Sequence, residues 1–263
     1  MTTASERFRL SRAVQLILPR EHGSWSLALE PLALGMLAAP SKPGVALAVA
    51  ALSGFFLRRP LRLLLSGKPD ARRSLALICV AGLGMLALSN LLLAAGLGGI
   101  SRLWPLVPAI LAGMTFVWFD SRNEAREGVA EVAGATAFGL LPAVFGALAG
   151  WGSAASIALS MVMLVRAIPT VIRVRTYLRL NKGRVSPIAP ALIATGAGLL
   201  LAAGLVSSGI APWPVIIFSL AMTAGSIWLL GWCPRLGAKT VGMVETAFGA
   251  AMVLTLAFLW NQF

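Results

Sequence analysis

Nine apolar stretches account for most of the chain, and each is long enough to approach the thickness of a bilayer. Short connections that carry charge, glycine or proline separate them. A bilayer's hydrocarbon core takes about 20 apolar residues per helical crossing, so the pattern predicts nine transmembrane helices. The stretches cover approximately residues 23–39, 44–65, 74–97, 103–119, 128–149, 154–176, 187–206, 212–232 and 240–260.

The composition agrees with this interpretation. Of the 263 residues, 58% are hydrophobic and only 12% are charged, which leaves too few polar side chains to cover a soluble globule. The apolar stretches are continuous, whereas transmembrane β-strands show short alternating patterns. We therefore predict an all-α polytopic membrane bundle, with residues 1–22 as a cytoplasmic N-terminal segment and residues 23–263 as a single nine-helix transmembrane domain.

The positive charges indicate the orientation of the bundle. The chain has 22 Lys and Arg against 9 Asp and Glu, a net charge of +13. With the N-terminus inside, 19 cations fall on the cytoplasmic side, and only Lys42 and Arg102 fall outside. This asymmetry follows the positive-inside rule. It accounts for the basicity, so we predict the lipid bilayer as a partner and no nucleic acid.

An alternative treats residues 1–39 as a cleaved signal peptide, with a basic start, an apolar run and small residues at its end. Glu30 and Pro31 interrupt the supposed apolar core, and the lead before it is long and polar. We therefore favour a retained first span.

The ionisable residues placed within spans include Glu30, Glu131, Arg166 and Glu245. A charged group is expensive in hydrocarbon, so such residues tend to face the interior of a bundle or a water-filled cavity. We therefore expect a polar cavity that opens on the cytoplasmic side. Its predicted acidic lining is Glu21, Glu30, Asp120, Glu124 and Glu127.

Arginines recur at helical spacing on two spans. Arg166, Thr170, Arg173 and Tyr177 share one face of the sixth span, and Arg58 and Arg62 are one turn apart on the second. Planar guanidinium groups in one cavity suit a phosphate, diphosphate or carboxylate. The predicted anion- or substrate-binding residues are Arg58, Arg59, Arg62, Arg166, Thr170, Arg173 and Tyr177. Arg175 and Arg179 occupy another face, where we expect them to reach lipid phosphates or water.

The fourth connection reads FDSRNEAREGVAEVAG. If it is helical, Asp120, Glu124, Glu127 and Glu131 form a carboxylate stripe. Such a stripe can hold Mg²⁺ against a substrate phosphate, or one member can act as a general base. Alternatively, it neutralises arginines of neighbouring helices, which is the interpretation we favour.

The only histidine, His22, lies in the segment PREHGSW. Flanking proline and glycine predict an interfacial loop or re-entrant turn over residues 19–25. His22 and Glu131 are the candidate catalytic proton acceptors, although such a histidine can equally satisfy a loop hydrogen bond. Cys79 and Cys233 show no metal-ligand spacing, so no metal site is predicted.

Three segments resemble the YwiC-like bacterial membrane family: LPREHGSWSLALEPLALGMLAA, FFLRRPLRLLL and DSRNEAREGVAEVAG. In turn, the nine-span, N-inside plan is similar to the UbiA-type intramembrane prenyltransferases. The resemblance implies a UbiA-like fold and a multi-pass protein of the bacterial cytoplasmic (inner) membrane.

UbiA-type enzymes bind an isoprenoid diphosphate through Mg²⁺, held by carboxylates at the inner ends of the second and sixth helices. At the matching positions this chain has Arg58, Arg59 and Arg62, then Arg166, Arg173 and Arg175. Arginine does not ligate Mg²⁺, so no cofactor is predicted, and guanidinium groups would neutralise the anion directly.

Three functions are compatible with this pattern. The first is a divergent UbiA-like prenyltransferase, or a protein that binds an isoprenoid diphosphate or another anionic lipid. The second is a non-catalytic carrier or binding protein for an anionic metabolite or lipid. In the third, the basic clusters serve only topology and contact with anionic lipids.

Overall fold

A computed structural model describes residues 16–18, 22–66, 70–122, 124, 125, 127–232, 235–260 and 262. Within these ranges the chain is helical throughout, with short connections and no strand, so the all-α prediction is confirmed. The helices are α1 (His22–Ala38), α2 (Lys42–Leu65), α3 (Arg73–Gly98), α4 (Leu106–Ser121), α5 (Gly128–Gly139), α6 (Leu141–Leu148), α7 (Ser153–Asn181), α8 (Ala189–Ser207), α9 (Pro214–Gly231) and α10 (Ala238–Trp260).

The helices coincide with the predicted apolar stretches to within a few residues, with α5 and α6 sharing the fifth stretch. Seven helical segments in the described chain are long and apolar enough to cross a membrane. The apolar parts of α1 (Trp25–Ala38) and α4 (Leu106–Ser121) are shorter. The chain is therefore a membrane-type helical bundle, and the crossings by α1 and α4 stay predictions.

The fifth stretch is interrupted at Leu140, between α5 and α6. Pro142 lies in the first turn of α6 and has no N–H to continue the helical ladder. Ser160 of α7 stabilises the interruption, because its hydroxyl accepts from the Ala143 N–H at 2.7 Å and donates to the Leu140 carbonyl at 2.8 Å. Backbone groups that the break would expose in an apolar interior are thereby bonded.

The start of α1 differs from the prediction for residues 19–25. The helix begins at His22, so residues 22–25 are helical and the predicted loop is wrong there. Gly23 costs a helix only about 1 kcal/mol, and Ala28 and Leu32 of the same helix are buried against the bundle. Packing of the apolar face therefore outweighs the turn-forming composition.

The described part of the connection between α2 and α3 contains an ion pair outside the apolar segments. Asp70 accepts from the Arg72 backbone N–H at 2.7 Å and from the Arg72 guanidinium at 2.7 Å. The side-chain hydrogen bond from Arg72 is the main reason why the pKa of Asp70 falls to about 2. This carboxylate therefore stays ionised and holds the first turn of α3 at any physiological pH.

Helix α7 is the centre of the bundle. It packs against α5, α6, α8 and α9, whereas α1 packs against α5, α6 and α10. Helices α2 and α3 form a long hairpin, and α4 packs along α5. The main core lies between α1, α7, α8, α9 and α10, with side chains such as Leu34, Leu159, Met163, Val215 and Leu256 almost fully buried.

The positive charges collect at one end of the bundle, which we call the basic end. Contacts join the connections there: Arg58 of α2 meets Asp120 of α4 at 3.2 Å, and the Tyr177 hydroxyl of α7 bonds the Leu236 carbonyl at 3.1 Å. At the opposite end Arg102 lies near the Leu148 carbonyl, at 3.4 Å. The charge asymmetry of the sequence is therefore an asymmetry of the folded bundle.

Candidate functional site

A cavity of about 1830 Å³ extends from the basic end into the bundle, between α1, α2, α3, α4, α5, α7 and α10. Its deep wall is apolar and includes Leu47, Leu106, Ala109, Phe138 and Leu141. Towards the basic end the lining becomes charged. Among the described residues, eight cationic side chains and four carboxylates line the cavity: Arg58, Arg62, Arg166, Arg175, Arg179, Lys182, Arg184, Lys239, Glu30, Glu127, Glu131 and Glu245.

The predicted anion-binding residues divide into two groups. Arg58, Arg62, Arg166 and Thr170 line this one cavity, although they come from two helices far apart in sequence. The other three, Arg59, Arg173 and Tyr177, do not line it. The Arg59 guanidinium instead donates to the Leu18 carbonyl.

Tyr177 and Arg173 point into the bundle behind the cavity wall. Tyr177 is fully buried, and its hydroxyl both accepts from the Leu236 N–H at 2.9 Å and donates to the Leu236 carbonyl. Arg173 is 4% exposed and reaches α9, where it donates to the Met222 carbonyl and the Ser226 hydroxyl, each at 3.1 Å. Both side chains therefore tie α7 to its neighbours.

Four charged side chains from α1, α7 and α10 form what we call the buried ion network: Glu30, Arg166, Arg173 and Glu245. Arg166 lies 3.1 Å from one Glu245 oxygen and 3.6 Å from Glu30. It also donates to the Glu245 backbone carbonyl at 2.7 Å. Arg173 contacts the other Glu245 oxygen at 2.5 Å.

The buried ion network is electrically neutral, because two guanidinium groups face two carboxylates. Ser26 adds a hydrogen bond to Glu30, and Thr170 accepts one from Arg166. Both arginines are almost completely buried, and their Nε atoms have no partner among the described residues. Charges this deep are stable only when paired, so the network holds three helices together.

Closer to the basic end, Asp120 is shared by two arginines. It is 3% exposed and lies 3.2 Å from Arg58 and 3.6 Å from Arg62. The Arg58 guanidinium also lies over the Phe116 ring, 4.5 Å from its centre. The Asp120 carboxylate of α4 therefore holds two guanidinium groups of α2 beside the cavity.

The predicted carboxylate stripe does not form as a helical face. Helix α4 ends at Ser121 and α5 begins only at Gly128, so Glu124 lies exposed in the connection and the assumed helical spacing is wrong. Glu131 and Glu127 instead contact Arg175 of α7, at 2.9 and 3.8 Å. The contacts of Glu127 and Glu131 with Arg175, and of Asp120 with Arg58 and Arg62, are those expected if the acidic residues neutralise neighbouring arginines.

Four further cations at the entrance of the cavity were not among the predicted site residues. We call Arg179, Lys182, Arg184 and Lys239 the mouth cations; all four are exposed, and no carboxylate pairs with them in the described part of the chain. Arg175 and Arg179, which were expected to reach lipid phosphates or water, also line the cavity, and Arg179 is exposed at its entrance. Arg175, Arg179 and Lys182 are spaced at i, i+4 and i+7, which places them on one face of α7. This spacing is the signal in the sequence from which the cationic face of the cavity could be found.

Two predicted residues cannot be placed in the cavity. Glu21 and the side chain of His22 lie outside the described residues, as does Cys233, while Cys79 is buried in α3. In the described ranges, no group of three or more His, Cys, Asp and Glu side chains is arranged to hold a metal ion.

The N-terminal half of the bundle can be assigned to a family. A family model described as YwiC-like protein matches residues 18–145. These residues belong to the YwiC-like family. The recognition made from the three segments is therefore confirmed. No curated protein and no solved structure matches the chain.

The YwiC-like region runs from just before α1 into α6 and supplies Arg58, Arg62 and Glu131 to the cavity. Arg166, Arg173, Glu245 and the mouth cations lie beyond it in sequence. The cavity is therefore built where the YwiC-like region packs against α7 and α10.

Proposed function

We propose that this YwiC-like membrane protein binds an amphipathic anion, an isoprenoid diphosphate or another anionic lipid, in the cavity at its basic end. The observation that carries the proposal is a single cavity with an apolar depth and a cationic entrance. Such a gradient matches a ligand with an apolar chain and an anionic headgroup, because each part is placed in the surroundings that favour it.

Charge accounting indicates where the headgroup binds. The buried ion network is neutral, and Arg175 faces two carboxylates. Arg58 pairs with Asp120, and the mouth cations have no carboxylate partner in the described chain. The uncompensated positive charge is therefore at the entrance. The headgroup binds there, and Arg166 forms part of the deeper wall.

The resemblance to UbiA-type enzymes implies Mg²⁺, but the donor set does not fit this ion. Mg²⁺ prefers carboxylate oxygens arranged around it. Here Asp120 faces Arg58 and Arg62, Glu131 faces Arg175, and Glu245 faces Arg166 and Arg173. We propose that guanidinium and ammonium groups neutralise the anion directly, and no step of the proposal passes through a metal.

The same cavity supports a second candidate, a divergent UbiA-like prenyltransferase. Glu131 is the proposed proton acceptor, because its carboxylate lines the cavity. Release of diphosphate from farnesyl diphosphate and a phenolic acceptor by the purified protein would support catalysis. Accumulation of an unchanged anion in proteoliposomes would instead support a carrier.

We expect loss of three of the four mouth cations to weaken anion binding by at least about tenfold, since each exposed charge contributes to a headgroup contact. The variant is Arg179→Gln, Lys182→Gln and Arg184→Gln together, and binding of farnesyl diphosphate is measured by calorimetry in nanodiscs. The matched control replaces Lys42 and Arg102, at the opposite end, by Gln. Equal affinity in the two variants would contradict the proposed headgroup site.

We also propose nine crossings with the N-terminus inside and a UbiA-like arrangement. The short helices α1 and α4 cross if the bilayer thins locally, at a modest cost per ångström of mismatch. Single cysteines in a background without Cys79 and Cys233 test this. Lys42→Cys and Ser101→Cys are expected to react with a membrane-impermeant maleimide in intact cells, and Ser5→Cys and Ser121→Cys only after permeabilisation. Labelling of both ends of α4 from one side would contradict its crossing.

A further inference from the structure

Glu30 is the least firmly held member of the buried ion network. Its carboxylate accepts a hydrogen bond from the Ser26 hydroxyl, but the nearest Arg166 nitrogen is 3.6 Å away, which is beyond hydrogen-bond distance. The Glu245 carboxylate instead contacts Arg166 at 3.1 Å and Arg173 at 2.5 Å. Both arginines therefore keep a carboxylate partner when the charge of Glu30 is lost.

The Arg166 guanidinium has two N–H groups without a hydrogen-bond partner in the described chain. Nη1 donates to Thr170 and Glu245, and Nη2 uses one of its two N–H groups for the Glu245 backbone carbonyl. The Nε–H group and the second N–H of Nη2 remain, and Nη2 is the Arg166 atom that contacts Glu30. Adjacent N–H groups of a guanidinium bind a carboxylate or a phosphate with two parallel hydrogen bonds. Glu30 therefore lies where an anion would compete for Arg166.

Glu30 and Arg166 border the same cavity as the mouth cations. Thr170 and Glu245 also line it, so the buried ion network and the cationic entrance share one continuous space. With both carboxylates ionised the network is neutral, and Glu30 opposes the approach of an anion to Arg166. A proton on Glu30 removes this opposition and leaves two guanidinium groups against one carboxylate. The network then has one net positive charge, which an anion can neutralise.

The charges around Glu30 leave it as the group that changes the balance. Helix α1 packs against α2, α5, α6, α7 and α10. From these helices Arg166 and Glu245 face Glu30, and α6 carries no ionisable residue. The remaining charged side chains of the same helices have other partners, or lie at the cavity entrance or a helix end: Lys42, Arg58, Arg59, Arg62, Glu131, Arg173, Arg175, Arg179 and Lys239.

We propose that Arg166 and Glu30 form a second anion site, deeper than the mouth cations, at which an anion and one proton bind together. The proton comes from water in the cavity and goes to the Glu30 carboxylate, which turns aside as the anion takes its place beside Arg166. The anion is a carboxylate, phosphate or sulfate group, either free or as the headgroup of an amphipathic ligand. The inference rests on the proposed function, because the anion enters through the same cavity. Such coupling suits a carrier that moves an anion together with a proton.

The parent protein tests the coupling in nanodiscs of phosphatidylcholine. The probes are inorganic sulfate and octyl sulfate, whose own charge stays constant between about pH 5.5 and pH 7.5. We expect each bound anion to take up one proton, and the affinity to fall by up to about tenfold per pH unit where Glu30 is ionised in the free protein. Calorimetry in buffers of different ionisation enthalpy measures both. Coupled binding of octyl sulfate alone supports a headgroup site, and coupled binding of both probes supports a site for free anions.

Glu30→Gln assigns the proton. Glutamine keeps the size of the side chain and removes its charge, so binding should become independent of pH, without proton uptake, and at least about tenfold tighter than in the parent protein at the higher pH. Glu124→Gln is the matched control, because Glu124 is exposed outside the cavity. Ser26→Ala is a milder variant that removes only the hydrogen bond to the ionised carboxylate. Proton uptake should then persist to higher pH.

The outcomes separate the second site from the proposed function. Binding without proton uptake in the parent protein, or uptake that persists in Glu30→Gln, would overturn the second site and leave the proposed function standing. The triple variant of the mouth cations should bind both probes more weakly and still take up one proton per anion. Failure of the parent protein to bind either probe at either pH would overturn the proposed function together with this inference.

Infrared difference spectra provide a second measurement that needs no affinity. Addition of octyl sulfate at the higher pH should convert one carboxylate into a carboxylic acid, which is seen as a gain in the carbonyl stretching band of the protonated group. We expect this band in the parent protein and in Glu124→Gln, and not in Glu30→Gln. A band of equal size in all three proteins would place the proton on another group and contradict the proposed site.

Discussion

Arg166→Leu is expected to lower the free energy of unfolding by roughly 3–5 kcal/mol, the cost of breaking a buried ion pair by removing one partner. The substitution leaves Glu30 without its arginine and Glu245 with only Arg173. Both carboxylates lie in the wall of the cavity, and no other described cation is placed to pair with Glu30. The buried ion network then carries an uncompensated negative charge, which destabilises the contacts of α1, α7 and α10.

Unfolding in dodecyl sulfate, followed by tryptophan fluorescence, measures this loss. The double variant Arg166→Leu with Glu30→Leu restores neutrality and should recover most of the stability, because apolar replacement of a whole buried pair is often neutral or favourable. Arg102→Leu, at the opposite end of the bundle, should change little. If Arg166→Leu unfolds at the same dodecyl sulfate concentration as the parent protein, the network does not stabilise the bundle.

Gly249→Ala is expected to destabilise the protein by about 1–3 kcal/mol, the range for overpacking a well-packed interior. Gly249 of α10 lies directly against the Glu30 carboxylate of α1, so an added Cβ would overlap the carboxylate oxygens. Glu30 has to move away, and its contacts with Ser26 and Arg166 are lost with it. The position of the Glu30 carboxylate against α10 therefore favours a residue without a side chain at position 249.

Gly242→Ala provides the control on the same helix. A Cβ there would have nothing within 4 Å, and alanine in a helix interior is favoured over glycine by about 0.5–1 kcal/mol. The two substitutions are therefore expected to shift the dodecyl sulfate midpoint in opposite directions. A Gly249→Ala protein at least as stable as Gly242→Ala would show that the contact with Glu30 is not needed.

The individual charges were predictable, and their partners were not. Arg166 and Glu245 stand out in the sequence because a charge within an apolar stretch is expensive. They are 79 positions apart, and their pairing depends on the contact of α7 with α10. The helical spacing placed Arg173 on the same face as Arg166, yet the Arg173 guanidinium reaches Ser226 of α9. The direction of a long side chain depends on which hydrogen-bond acceptors the neighbouring helices present, and the sequence of one helix does not show them.

The cavity entrance shows the same difference. Helical spacing alone assigned Arg175 and Arg179 to lipid or water, because one helix does not reveal what lies opposite each face. In the bundle, α7 presents both to the cavity, where Glu131 contacts Arg175. The carboxylate stripe failed for a local reason, since α4 ends before Glu124 and a new helix begins at Gly128.

The order of apolar and charged segments determined the all-helical class, the positions of the helices and the collection of positive charge at alternate connections. These features depend on continuous stretches of sequence. The free energy of placing apolar side chains in the bilayer, and of bonding every backbone N–H and C=O within a helix, is summed along each segment. Only the tertiary structure decided which arginines are neutralised and which cations stay uncompensated at the entrance. Ion pairing acts over a few ångströms, so it depends on which distant helices meet.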